Sequence, residues 1–197
     1  MGRVLGTILV TIVFCLAGCV QQGPQISTFN GEKLDENSFA PLFTLESMEG
    51  DLWSLEEQRG KTVVLAFTYT RCYETCPVVS AAIHYTKSKL TEEENNSVVW
   101  VSVTIDPHHD SPSILENWTA DRGYEWAHLT GNPESVNPVL DAFDVDPINF
   151  EDNSTEGYGY AHTQPTYIID DRGYFRVVWT EPDWPTDLFL EDLRQII

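Results

Sequence analysis

Cys72 and Cys76 sit in the segment FTYTRCYETCP, residues 67–77, where an apolar run gives way to a helical pattern. Side chains four apart at a helix start lie one above the other on the same face. A helix N-terminus carries partial positive charge, which lowers a thiol pKa and favours thiolate. Two sulfurs at that spacing can close a disulfide or grip one soft metal ion. A purely structural disulfide is a poor account, because so short a loop removes little entropy from the unfolded chain. Exchange chemistry and metal binding both stay open on these residues alone.

The surrounding pattern says what must position the pair. TVVLAFTY, residues 62–69, is a continuous apolar, β-branched run, as expected of a strand buried on both faces. A helix is expected from about Pro77 to Leu90, then a second buried strand over 97–106. SPSILENWTADRG, 111–123, is framed as a helix by Ser-Pro and Gly123, and WAHLT is a short strand. A helix over 133–145 is weakened by Pro138. INFEDNSTEGYGY reads as a loop, TYIIDDRGYFRVVW (166–179) as two strands turning at Asp171-Arg172-Gly173, and the C-terminus as an amphipathic helix. Upstream, residues 41–55 read as a β-hairpin turning at Glu49-Gly50-Asp51. Alternating β and α elements with buried strands imply an α/β fold: a mixed central sheet with helices on both faces. The thiol pair then falls at the carboxyl end of a central strand, where open α/β sheets place their sites. This is thioredoxin-like topology with an added N-terminal hairpin.

Composition narrows the compartment and the partners. The 197 residues suit one domain plus an extension, and 31 acidic against 11 basic residues give a net charge of −20. Such a surface excludes a nucleic-acid backbone as partner. Arg3 is followed by a predominantly apolar run of fifteen residues, 4–18, a length suited to a signal h-region and short for a membrane span. The run ends in LAGC, residues 16–19, which resembles a lipobox. Residues 1–18 are thus expected to be a signal peptide, Cys19 a lipidated anchor, and 19–37 a polar tether to a domain at 38–197. The domain would sit on the extracytoplasmic face of the cell membrane. Its own cysteines are then only Cys72 and Cys76, in an oxidising compartment.

FTYTRCYETCP resembles the CxxxCP signature of the Sco/SenC family, copper chaperones of cytochrome c oxidase assembly. VSVTIDPHHDSP resembles that family's second strand and Asp-Pro turn, here Asp106, Pro107, Asp110 and Pro112. YAHTQPTYIIDDRGYF resembles its histidine loop and final hairpin, with His162 at the metal-ligand position, 86 residues after Cys76. The resemblance covers roughly 38–197. It implies a copper site of Cys72, Cys76 and His162. Soft Cu(I) prefers thiolates and accepts an imidazole, and Cu(II) is the other state to consider. It implies delivery to the binuclear copper site of oxidase subunit II.

A second reading is a thiol–disulfide oxidoreductase, with Cys72 attacking, Cys76 resolving and a Cys72–Cys76 disulfide in the oxidised form. Pro165 favours it, since thioredoxin-type reductases carry a cis-proline in the same Pro-Thr context. A peroxidase, using Arg71 beside one reactive cysteine, ranks third because paired thiols suit exchange or metal better. His108 and His109 beside Asp110 read as turn residues rather than a second metal site, and His84 as a solvent or packing residue. Tyr69, Tyr73, Tyr158 and Tyr160 are candidates for the walls of the site or a docking face, with core packing the alternative.

Overall fold

The computed structural model describes residues 28–146 and 164–197. One eight-stranded sheet organises them, in the order β1-β8-β7-β4-β5-β6-β2-β3. The strands are β1 (Glu32–Lys33), β2 (Thr44–Ser47), β3 (Leu52–Ser54), β4 (Thr62–Thr68), β5 (Val98–Thr104), β6 (Ala127–Thr130), β7 (Thr166–Ile169) and β8 (Phe175–Trp179). β4, β5 and β6 run parallel, whereas β7 lies antiparallel to β4, β8 to β7 and β2 to β6. The sheet is therefore mixed, as the alternation of elements implies. The expected hairpin at 41–55 is β2–β3, turned through Gly50 at φ +88°.

Every residue of β4 is buried, which is why its sequence carries no polar alternation. Val63, Leu65 and Phe67 face one core together with Val136, Val139 and Leu140 of α4 (Pro133–Ala142). Val64 and Ala66 face the other with Val79, Ala82 and Ile83 of α1 (Thr75–Lys89), and with Phe189 and Leu193 of α5 (Thr186–Arg194). Helices thus cover both faces. Pro138 removes one internal hydrogen-bond donor from α4. The helix forms regardless, because three apolar side chains bury fully or nearly so and Asn132 caps Ser135 N–H at 2.9 Å.

α2 (Glu92–Asn96) falls where the sequence reading placed no element. Its signal was legible: Thr91 and Glu94 form a reciprocal capping box. α3 (Pro112–Ala120) starts on a Ser111 cap as expected. The tether boundary needs correction, because the domain starts before residue 38. Asn30 and Gly31 donate their N–H groups to the buried Asp192 carboxylate at 2.8 and 2.9 Å, and Glu32–Lys33 pair with β8. Among the described residues no helix is long and apolar enough to cross a membrane. Residues 1–18 and Cys19 lie outside the described residues.

Candidate functional site

β4 delivers the chain to Tyr69, where a tight turn closes with Cys72 N–H donating to Tyr69 O at 3.3 Å. α1 begins at Thr75, two residues earlier than the sequence suggests, so Cys76 stands in its first turn. The N-cap residue, Glu74, makes no side-chain cap. Cys72 Sγ fills that role by accepting the Cys76 N–H at 3.1 Å, and it also meets Thr75 Oγ1 at 3.4 Å. Helix geometry and the first sulfur are therefore coupled: folding α1 aims an orphan amide at Cys72. Pro77 follows without penalty, since it has no N–H that would need a partner in this turn.

The two sulfurs are not equivalent. Both thiols are free and buried. Cys72 is lowered to about 5, chiefly because the Cys76 side chain hydrogen-bonds its thiolate, with help from Thr75 and the amides of Cys76 and Glu74 and against the effect of burial. Cys76 moves up, because it is the more deeply buried and stands against a negative neighbour. Burial and the two cysteines also push the Tyr69 phenol up. At neutral pH the pair is one thiolate and one thiol that shares its proton with it. Releasing that proton yields two adjacent thiolates for a soft cation; removing two electrons as well closes a disulfide.

Gln164 reaches the pair from across the sheet, donating Nε2–H to Cys76 Sγ at 2.9 Å. It is the site residue that sequence reasoning missed, since a single amide donor leaves no pattern. Its neighbour Pro165, singled out from the sequence, follows a trans bond, as are all peptide bonds among the described residues. His162, Tyr158 and Tyr160 lie outside the described residues.

Behind the thiols, the Asp-Pro turn after β5 forms a buried brace. Asp110, fully buried, accepts Thr70 N–H at 3.1 Å, the Thr70 hydroxyl, and Thr104 Oγ1–H at 2.7 Å. Its own carbonyl accepts the Thr130 hydroxyl. The residues just before Cys72 are thereby tied to the ends of β5 and β6. Arg71 pairs with the buried Asp106 at 2.6 Å. Burial nevertheless outweighs that cation and raises the Asp106 carboxyl. With Asp110 turned inward, no metal cluster gathers on the turn; His108 is exposed, and no set of three metal-ligating side chains occurs among the described residues. His84 is exposed, the first of the two placements its sequence left open. Tyr69 is buried against the pair, while Tyr73 stands 78% exposed between the cysteines in sequence.

This geometry can be set beside known proteins. An SCO2-like protein of Rickettsia prowazekii is 26% identical over 134 residues, 68% of this chain and 65% of the relative, so the chain spans about two thirds of that protein's length. The solution structure of apo Sco1 from Thermus thermophilus superposes with a TM-score of 0.71 at 26% identity, covering 86% of this chain and 98% of that one. The crystal structure of Arabidopsis thaliana ScoI with copper bound has the same fold, with a TM-score of 0.66 at 23% identity over 80% of this chain and 99% of that one. The SCO1/SenC sequence pattern matches residues 31–197, a span that opens at the strand-forming segment docked on Asp192 and takes in both cysteines. The chain belongs to the SCO1/SenC family.

Proposed function

We propose that this protein is a membrane-tethered, extracytoplasmic metallochaperone that carries one copper ion on Cys72, Cys76 and His162 for cytochrome c oxidase assembly. The paired sulfurs at the β4–α1 junction are the observation that carries the reading. They are soft donors, one already favoured as thiolate, and they stand close enough for the Cys76 proton to be shared. Gln164, two residues after His162 in sequence, contacts Cys76 Sγ, which supports a histidine from the same segment as third ligand. The Arabidopsis ScoI, of the same fold, is a copper-bound protein. A set of two sulfurs and one nitrogen leaves an open side through which a partner can take the metal. The partner we assign is the binuclear copper site of oxidase subunit II. Cys19 supplies the lipid anchor and residues 1–18 the signal peptide.

Thiol–disulfide exchange is the second reading, and one observation favours it. A low-pKa Cys72 beside a buried, protonated Cys76 is the arrangement of an attacking and a resolving thiol. The deciding measurement is copper stoichiometry of the anaerobically reduced protein, beside Cys72→Ser and His162→Ala. The carrier reading expects one tightly held copper per chain, lost in both variants, with disulfide exchange surviving in His162→Ala. Undiminished copper in His162→Ala refutes the ligand set, and no copper in the unaltered protein refutes the carrier.

A further inference from the structure

A groove opens at the same end of the sheet as the thiols. Thr166 pairs with Ala66 of β4 on one side and Trp179 of β8 on the other. With strands about 4.8 Å apart, Trp179 stands roughly 10 Å across the sheet from β4. Past it, the chain turns into α5 and leaves a groove of about 260 Å³, walled by Trp179 and Trp184 and lined by Glu32, Glu181 and Asp183. Trp184 is itself fixed, stacked on Phe189 at 4.1 Å. Gly31 completes the wall where a Cβ would strike the Trp179 indole nitrogen at 2.6 Å.

The chemistry of this lining is specific. The three carboxylates are exposed, and the ion pairs among the described residues engage other acids. Neither indole N–H has an acceptor among the described residues, although Trp179 is only 9% and Trp184 only 4% exposed. Aromatic walls beside carboxylates suit an organic cation, and a planar guanidinium best, because it stacks on indole while its N–H fork meets carboxylate oxygens. A divalent metal would gain nothing from indole walls. Both indole nitrogens are shut inside the walls, so the lining offers ring surface and carboxylates rather than indole donors. The volume suits one side chain rather than a larger ligand.

We propose that this groove receives an arginine side chain from a basic segment of a protein partner that approaches the thiol end of the molecule. The assignment does not depend on the copper reading. It gives the partner a second point of attachment beside the thiols. The surrounding net charge of −20 would steer a basic segment there.

The test follows the indole N–H signals of the isotope-tryptophan-labelled full chain in detergent micelles. The probes are a blocked Gly-Arg-Gly peptide, its citrulline analogue and guanidinium chloride, at matched ionic strength. The arginine peptide should shift the Trp179 and Trp184 signals saturably. Binding should weaken about tenfold in the double variant Glu181→Gln/Asp183→Asn. It should persist in Glu92→Gln/Glu93→Gln, which removes equal charge from α2. Equal weakening in both double variants would reduce the effect to a diffuse field and overturn the proposal. So would the absence of shifts, or full binding by the citrulline peptide; guanidinium chloride should move the same signals, more weakly than the arginine peptide.

Discussion

His128 should contribute a separable part of this fold's loss of stability in acid. Its ring lies on β6, 1% exposed, stacked on Trp126 at 5.4 Å and edge-on to Trp118 at 5.5 Å. Nδ1 lies 3.0 Å from Trp126 O, so the neutral ring donates there. Nε2 is buried without a partner among the described residues, so a proton added there would meet no acceptor among them. Burial lowers the pKa from 6.5 to about 4. Above pH 6.5 the ring is neutral in both folded and unfolded chains and contributes no pH dependence. As pH falls below 6.5, the unfolded chain takes up a proton that the folded chain refuses, and stability drops until the folded ring protonates near pH 4. A difference of about 2.5 in pKa corresponds to about 3 kcal/mol. For a chain of this size that is a fall of roughly 6–12 °C in Tm. The many carboxylates add their own acid dependence, so the assay is a comparison. Urea unfolding of the unaltered protein and of His128→Phe would be measured from pH 7 to pH 4. The variant loses the bond to Trp126 O at every pH, about 1 kcal/mol, but lacks the acid penalty. The two stability curves should therefore converge and cross as pH falls. Curves that stay parallel over the whole range would refute the burial argument.

Two predictions concern the site itself. Alkylation of Cys72, read by mass spectrometry against pH, should show its inflection near pH 5 and outpace Cys76, and Cys76→Ala should move that inflection up by removing the main stabiliser of the thiolate. Asp110→Ala should cost about 3–5 kcal/mol in urea unfolding, because it strands the Thr70 amide and two threonine hydroxyls in the interior.

The sequence exposes those parts of the molecule whose cause is local. β4 and β5 are legible because near-complete burial writes a run of apolar and β-branched residues, with Ser102 the one break inside it. The thiol site is legible because both sulfurs come from one strand–helix junction, within five residues of each other. α3 is legible from Ser111-Pro112, which are its cap and first turn. What stays hidden is what distant segments do to one another. Asn30 and Gly31 look like tether until Asp192, some 160 residues later, accepts their amides. Gln164 looks like loop until the sheet carries it to Cys76. Asp110 reads as part of a turn, and only the parallel pairing of β4 with β5 brings Thr70 under its carboxylate.

The thiol asymmetry has the same origin. The sequence supplies the reason for a low pKa at a helix start but not which sulfur receives it. That choice is made by the helix start and by depth. The Cys76 amide turns to Cys72 because α1 starts at Thr75, whereas Cys76 lies deeper in the core and stands against that negative neighbour. One helix turn and a difference in burial thus divide the pair into a thiolate and a thiol. On the proposed carrier reading that division would serve in either direction. A metal arriving at Cys72 would find a thiolate ready, and its transfer away would leave Cys76 able to recover its proton.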